Sequence, residues 1–159
     1  MRVGILTVSD LGAQGRRHDT SGDAIATWAS KRGFEVAVRS IVPDETHLIV
    51  SKLTRWSDSG EVDVVLTTGG TGLAQRDVTP DATRTAIERE AHGIPEAIRA
   101  RGARRTSRAW LSRAIAGTRG KTLIVNLAGS PGAVKDALPV LDELLEHAVA
   151  ILRGEPNDH

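Results

Sequence analysis

The chain has 159 residues, no cysteine and a formal net charge of +1. Its length fits one ordinary domain, the lack of cysteine excludes disulfides and thiolate chemistry, and the small net charge argues against binding polyanions through bulk electrostatics. The apolar start, MRVGILTVSD, is too short for a signal peptide, and no run approaches the ~20 apolar residues of a membrane helix, so we expect a soluble cytoplasmic protein.

Apolar runs alternate with amphipathic segments along the chain. In chain order, the pattern predicts a strand over 2–8, a helix over 21–33, a strand over 34–42, a helix over 45–60, a strand over 62–67, helices over 79–91 and 94–105, two strands joined by a tight turn within 113–129, and a helix over 131–154. Pro139 should kink or interrupt the last helix.

This alternation is typical of an α/β fold. We predict a three-layer sandwich with a mostly parallel central sheet, and the tight turn at 118–121 indicates one antiparallel strand. The chain shows no repeats and no Pro/Gly/Ser-rich linkers, so residues 1–159 are expected to form a single domain.

Special sequences follow four of the predicted strands. They are SDLG after the first strand, VPDE after the second, TTGGTG after the third and NLAGSP after the last. The carboxyl ends of parallel strands lie at one edge of a sheet, where ligands bind. These four segments are therefore expected to meet there.

The segment TTGGTG is the strongest candidate for a binding site. Gly69, Gly70 and Gly72 permit positive φ and close approach of a ligand to the backbone, and successive N–H groups in such a loop form a nest for an anion. Thr68 and Thr71 add hydroxyl donors. A tight turn before a helix is the alternative, but directly after a buried strand we favour phosphate binding.

Two Ser/Thr–Pro pairs resemble helix starts. Thr79 is expected to cap a helix whose first turn contains Pro80, and Ser130 to cap one that begins at Pro131. The positive end of the first of these helices would face the same edge of the sheet. For the second pair alone, helix capping without a ligand is the favoured interpretation.

Carboxylates lie close to these loops and indicate a metal site. Mg²⁺ prefers one or two carboxylates together with substrate phosphates, and phosphoryl transfer depends on positioning and charge neutralisation. Arg76 could bind phosphate or pair with the neighbouring Asp77. The available acidic residues are Asp10, Asp44, Glu45, Asp77 and Asp81.

The segment 99–119 contains seven Arg and no Asp or Glu. Most of these Arg are expected on a solvated helix face, whereas Arg108 and Arg113 lie nearest the predicted edge and could face an anionic substrate. A nucleic-acid-binding surface is a further alternative, but one Phe, three Trp and no Tyr supply few stacking side chains. We therefore expect no nucleic acid and no membrane among the partners.

Together these motifs resemble the MogA/MoaB family of molybdopterin adenylyltransferases. The matching segments are TVSD (7–10), DTSGDA (19–24), VPDE (42–45), LTTGGTGLAQRDVTPDAT (66–83), LSRAIAG (111–117) and TLIVNLAGSPGAV (122–134). They occur in the family's order and span nearly the whole chain. The TTGGTG…RDVTP element is the most specific of them.

The resemblance implies an enzyme of molybdenum cofactor biosynthesis that transfers AMP from Mg-ATP to molybdopterin and releases pyrophosphate. It implies a homotrimer with transient contacts to other molybdenum cofactor enzymes. Asp44 and Asp77 match the catalytic, Mg²⁺-binding aspartates. The implied substrate and nucleotide positions are Ser9, Asp10, Thr68, Gly69, Gly70, Thr71, Gly72, Ser112, Arg113, Asn126, Gly129 and Ser130.

The resemblance also leaves an alternative, a non-catalytic molybdopterin-binding module of the MoaB type. The retained PDE and RDVTP segments favour the catalytic branch. The chain departs from the family pattern at Leu11, where Arg is common, at Gly102, where some members carry Ser, and at Ala128, where Pro is common. These departures concern pterin binding more than nucleotide chemistry.

Overall fold

A computed structural model describes residues 1–156, so residues 157–159 of the predicted domain lie outside the described part. The described helices are α1 (Asp10–Ala13), α2 (Thr20–Lys31), α3 (Thr46–Ser59), α4 (Thr79–Ala86), α5 (Gly93–Ala103), α6 (Pro131–Arg153) and a 3-10 helix (Ser107–Leu111). The described strands are β1 (Arg2–Val8), β2 (Glu35–Val42), β3 (Val64–Thr68), β4 (Arg89–Glu90), β5 (Ala116–Arg119) and β6 (Thr122–Leu127).

Within residues 1–156 the strands form one sheet in the order β2-β1-β3-β6-β5-β4. The first four strands in this order are mutually parallel, and β5 runs antiparallel to both β6 and β4. A two-residue turn with Gly120 at φ 55° joins β5 to β6. The predicted mostly parallel sheet and its antiparallel strand are confirmed.

Apolar side chains on the two faces of the sheet build two cores. One core joins the sheet to α2 and α6 through residues such as Ile25 and Leu141, and the other joins it to α3 and α4 through Leu53 and Ala82. The central strand β3 is buried along its whole length, as expected for a strand covered on both faces. The predicted three layers are therefore present.

Several predicted boundaries are wrong. Helix α4 ends at Ala86 and not at residue 91, because Ile87 is extended and the chain enters β4. Helix α6 is not interrupted at Pro139 and continues to Arg153. Helix α1, the 3-10 helix and the two-residue β4 are too short for hydrophobic periodicity to reveal. No helix among residues 1–156 is long and apolar enough to cross a membrane.

A buried carboxylate holds the edge of the sheet that carries the amino ends of β1 and β3. Asp63 accepts hydrogen bonds from the backbone N–H of Arg2 at 2.7 Å and from the guanidinium of Arg153 at 2.8 Å, and its side chain is 7% exposed. Burial raises the pKa of Asp63, but the hydrogen bonds from Arg2 and Arg153 outweigh burial and lower it to about 2.

The ionised form of Asp63 should therefore stabilise the fold. Its folded pKa lies below the unfolded value of about 3.9, so the contribution is present above about pH 4 and is lost as the pH falls towards 2. We expect Asp63→Asn to lower the free energy of unfolding by about 2 kcal/mol at pH 7 and by less at pH 3, measured by urea unfolding. Equal losses at both pH values would contradict this account; the exposed Asp58→Asn serves as control.

Candidate active site

The four loops after β1, β2, β3 and β6 meet at one edge of the sheet, as predicted. Ser9 N–H donates to the carbonyl of Val42 at 2.9 Å, which joins the first two loops. Gly69 N–H donates to the carbonyl of Leu127 at 3.1 Å, which joins the loops after β3 and β6. These backbone hydrogen bonds therefore fix the four loops in two pairs.

These loops enclose a cavity of about 640 Å³. Nine of the predicted site residues line it: Ser9, Asp10, Asp44, Thr68, Gly69, Gly70, Asp77, Gly129 and Ser130. Ser130 is the N-cap of α6, with its hydroxyl accepting from Ala133 N–H at 3.2 Å, as predicted. The cavity thus lies at a helix N-terminus, where an anion is favoured.

The turn after β3 depends on two glycines with positive φ. Gly69 has φ 96° and Gly70 has φ 66°. A Cβ at Gly69 would overlap the carbonyl oxygen of Val8, and a Cβ at Gly70 would overlap Oγ1 of Thr79. The Thr79 hydroxyl donates to the carbonyl of Gly69 at 2.9 Å. This hydrogen bond fixes the turn. Thr79 is the first residue of α4 and Val78 is its N-cap, so the prediction that Thr79 caps the helix is wrong.

Asp44 and Asp77 each have one oxygen bound by the backbone and one oxygen free. Oδ2 of Asp44 accepts from Asp10 N–H at 2.9 Å, and Oδ2 of Asp77 accepts from Ala74 N–H at 2.9 Å. Within residues 1–156 no group donates to the Oδ1 atom of either carboxylate. Oδ1 of Asp44 lies over the glycine turn, 3.1 Å from where a Cβ of Gly70 would be.

The negative charge around Asp44 disfavours a bound anion such as phosphate unless a cation binds with it. Burial raises the pKa of Asp44, and the negative charges of Asp10 and Asp77 add to the rise. A cation bound between Asp44 and Asp77 would relieve this repulsion.

The carboxylates fit Mg²⁺ only in one binding mode. Among residues 1–156, no group of three or more His, Cys, Asp or Glu side chains could hold a metal ion by itself. Two Asp with free oxygens suit Mg²⁺, which commonly binds through one or two carboxylates and completes its shell with water and substrate phosphates. Asp44 and Asp77 are therefore suited to hold a metal that arrives with a phosphate ligand.

A second cavity of about 360 Å³ lies on the other side of the loop after β6. It contains Ser112 and Asn126, two further predicted site residues, and it shares Ser130 with the larger cavity. Its basic lining residues are Arg99, Arg105 and Arg108. The two cavities are therefore adjacent at the N-terminus of α6.

Comparison with known proteins identifies the family. A model described as a probable molybdopterin binding domain matches residues 4–147. The chain belongs to this molybdopterin-binding family. It is 35% identical to the molybdopterin adenylyltransferase of Helicobacter pylori strain J99, over 97% of this chain and 89% of that protein.

A longer relative and a solved structure agree with this assignment. The chain is 42% identical to the Drosophila melanogaster molybdenum cofactor synthesis protein cinnamon over 94% of its own length, but spans only 25% of that protein. The crystal structure of the molybdopterin biosynthesis enzyme MoaB from Thermus thermophilus superposes with a TM-score of 0.91 and 48% identity, covering 98% of both chains.

Asn126, which the family resemblance assigns to substrate binding, is buried and fully hydrogen-bonded inside the fold. Its amide nitrogen donates to Thr67 Oγ1 at 3.0 Å and to Thr83 Oγ1 at 2.9 Å, and its Oδ1 accepts from Ile115 N–H at 3.2 Å. It therefore joins β6 to β3, α4 and the segment before β5. The geometry gives Asn126 a role in shaping the smaller cavity.

Arg113 lies behind the glycine loop and lines neither cavity. Its guanidinium donates to the carbonyl of Gly72 at 3.0 Å, to the carbonyl of Asp77 and to Asp81 at 3.0 Å, while its N–H donates to the carbonyl of Thr71. Arg113 therefore holds the loop that carries Asp77. Thr71 and Gly72, both predicted site residues, also lie outside the two cavity linings.

Arg108 is placed differently from Arg113. It is exposed at the smaller cavity, and within residues 1–156 its guanidinium has no hydrogen-bonding or ionic partner. Arg99, by contrast, donates to the carbonyls of Ser112 and Ala114. Arg105 is paired with Asp136, so of the three arginines that line the smaller cavity Arg108 is the one available to an anionic ligand.

The family motif DTSG, to which the sequence alone assigned no role, forms one wall of the larger cavity. Asp19 is the N-cap of α2 and accepts from Thr7 Oγ1 at 2.8 Å and from Arg39 at 2.8 Å. Ser21 Oγ donates to the carbonyl of Gly129 at 2.7 Å. The motif is visible in the sequence, but its place in the cavity wall depends on contacts with residues far away in the chain. The lining residues not predicted as site residues include Thr7, Arg17, His18, Asp19, Thr20, Ser21 and Pro131.

The three departures from the family pattern all lie at the cavities. Leu11 lines the larger cavity, whereas Gly102 and Ala128 line the smaller one. A Cβ at Gly102 would lie 3.0 Å from the Cβ of Ala109. Gly102 therefore allows the 3-10 helix to pack closely on α5, which gives a structural reason for glycine at this position.

The glycine turn can be tested with a pair of matched substitutions. Gly70→Ala forces alanine into positive φ, which costs about 1–2 kcal/mol, and displaces Thr79. Gly33→Ala meets the same backbone restriction at φ 73° but has open space around it. We expect urea unfolding to show a loss for Gly70→Ala that exceeds the Gly33→Ala loss by about 1–3 kcal/mol. Equal losses would show that Thr79 is not a steric constraint.

Proposed function

We propose that the protein is a molybdopterin adenylyltransferase of molybdenum cofactor biosynthesis, with the nucleotide in the larger cavity and the pterin in the smaller one. The supporting observation is the junction at Ser130, which lines both cavities. The two substrates react through their phosphates, so their sites must meet where phosphate is bound. The Helicobacter pylori relative is named a molybdopterin adenylyltransferase, and the Thermus thermophilus relative is named a molybdopterin biosynthesis enzyme.

The nucleotide phosphates are assigned to the edge formed by Gly69, Gly70 and Ser130. The glycines allow close backbone approach, and helix α6 begins beside them at Pro131. Positive helix ends and backbone N–H groups favour a phosphate at this position. The 640 Å³ volume of the cavity is within the range of small-molecule sites.

The pterin is assigned to the smaller cavity, whose wall is made by the 3-10 helix, α5 and the start of α6. Apolar residues such as Ile98 and Ala109 provide contact area for a planar ring. The free guanidinium of Arg108 at the same cavity can bind an anionic group of the ligand. This placement directs the terminal phosphate towards Ser130.

The reaction joins the two substrates at phosphorus. An oxygen of the molybdopterin phosphate attacks the α-phosphorus of ATP, a new P–O bond forms, the bond between the α-phosphorus and the bridging oxygen breaks, and pyrophosphate leaves. A phosphate monoester is already largely ionised near pH 7, so no general base is needed. The protein has to align the two phosphates and offset their charge.

Asp44 and Asp77 are the residues that would hold Mg²⁺ delivered with ATP. When bound, the metal neutralises phosphate charge and withdraws electron density from the reacting phosphorus. Asp10 and Ala74 fix one oxygen of each carboxylate, and the other oxygen stays available. The guanidinium of Arg113 donates to the backbone carbonyl of Asp77 and so holds Asp77 in position.

The family resemblance further supports a cytoplasmic homotrimer with transient contacts to other enzymes of the same cofactor. Exposed apolar side chains provide a candidate contact surface. Leu73, Trp110 and Leu111 are 68%, 57% and 55% exposed. The loop that carries Leu73 is joined to the segment after the 3-10 helix, where Arg113 N–H donates to the carbonyl of Thr71. The three residues therefore lie on neighbouring segments.

The activity is tested by incubating the protein with Mg-ATP and molybdopterin, and following pyrophosphate release together with the mass of the pterin product. We expect the wild type to add one AMP unit. Asp44→Asn and Asp77→Asn should each lower the rate at least about 100-fold, since each removes a charged ligand from the metal that neutralises the reacting phosphates. Asp58→Asn, at the opposite edge of the sheet, is the matched control.

Two results would contradict the proposal. Near-normal transfer by Asp77→Asn would exclude the assigned role of this carboxylate. Pterin binding by the wild type without AMP transfer would favour a non-catalytic binding module and would point to Leu11, Gly102 and Ala128 as the cause.

A further inference from the structure

Arg76 forms a two-pronged ion pair with Asp10, which lines the larger cavity. Its Nε donates to Oδ2 of Asp10 at 2.7 Å, and its Nη2 donates to Oδ1 at 2.9 Å. The pair lowers the pKa of Asp10. Planar guanidinium and carboxylate groups in this geometry make stronger and more directional hydrogen bonds than a lysine would make.

Asp10 is tied to Asp44 by a reciprocal pair of hydrogen bonds. Asp44 N–H donates to Oδ1 of Asp10 at 3.0 Å, and Asp10 N–H donates to Oδ2 of Asp44 at 2.9 Å. The Asp10 carboxylate is therefore hydrogen-bonded directly to Asp44, the residue that the proposed function assigns to Mg²⁺. Without a competing partner it would be a hard oxygen ligand beside that site.

The three aspartates at this edge differ in how their oxygens are used. Both oxygens of Asp10 accept from Arg76, whereas Asp44 and Asp77 each keep one oxygen without a donor among residues 1–156. Arg76 also lies 3.4 Å from Glu45. Arg76 thus pairs with Asp10 and Glu45, the two acidic residues next to the proposed metal ligand Asp44.

We propose that Arg76 is a specificity-determining residue that keeps Asp10 out of the metal coordination shell, so that the ion binds at Asp44 and Asp77 alone and binds tightly only together with nucleotide phosphate. This inference rests on the proposed function, because it assumes that these two residues hold Mg²⁺. It makes Arg76 a residue that weakens metal binding to the nucleotide-free protein. An ion pair far from the site, such as that of Arg119 with Asp58, would not have this effect.

Metal binding to the nucleotide-free protein is the direct test, with Mn²⁺ as the probe and electron paramagnetic resonance detecting the free ion. Arg76→Gln removes one positive charge and frees a carboxylate at the site, so we expect Mn²⁺ to bind roughly tenfold more tightly than in the wild type. The double variant Asp10→Asn/Arg76→Gln should return to wild-type affinity, because the released ligand is then absent.

Arg76→Lys serves as a second variant that retains the charge. A lysine ammonium is a point charge that does not match both oxygens of a carboxylate, so the Mn²⁺ affinity should lie between those of the wild type and Arg76→Gln. Arg119→Gln is the matched control, since Arg119 makes a similar two-pronged pair with Asp58, at 2.8 Å on both oxygens, at the opposite edge of the sheet. It should bind Mn²⁺ like the wild type.

The proposal is overturned if Arg76→Gln and Arg76→Lys bind Mn²⁺ no more tightly than the wild type. It is also overturned if the gain persists in the double variant, because the added ligand would then not be Asp10. The titration needs neither ATP nor turnover. Its outcome is therefore separate from that of the AMP-transfer assay.

Discussion

The turn at Gly69 and Gly70 is the constraint on which the site depends. At the end of β3 the chain passes so close to Val8 and Thr79 that neither glycine has room for a Cβ. The hydroxyl of Thr79 occupies this space and bonds the carbonyl of Gly69. Both glycines line the cavity and place no side chain in it, so a phosphate can approach the turn closely.

Around this turn, hydrogen bonds from the protein position the acidic and basic groups before any ligand binds. The reciprocal pair of Asp10 and Asp44 joins the loops after β1 and β2, and Arg113 joins the 3-10 helix segment to the loop that carries Asp77. Fixed dipoles and charges of this kind lower the reorganisation needed during reaction. Burial raises the pKa of Asp44, and a cation beside its carboxylate would favour the ionised form.

The sequence predicted the layers, the sheet type and the edge where the loops meet, because hydrophobic periodicity and strand-end glycines are local signals. It did not predict the 3-10 helix or β4, which are too short to have a period. It also could not show that the side-chain amide of Asn126 is hydrogen-bonded to Thr67, Thr83 and Ile115. The different positions of Arg108 and Arg113 likewise depend on contacts between distant segments.

A crystal structure with a non-hydrolysable Mg-ATP analogue would show which cavity binds the nucleotide and which residues bind the metal. We expect triphosphate density against the Gly69–Gly70 turn, with the metal bound to the free oxygens of Asp44 and Asp77 and no bond to Asp10. A nucleotide in the smaller cavity, or a metal that contacts neither Asp44 nor Asp77, would exclude the proposed arrangement.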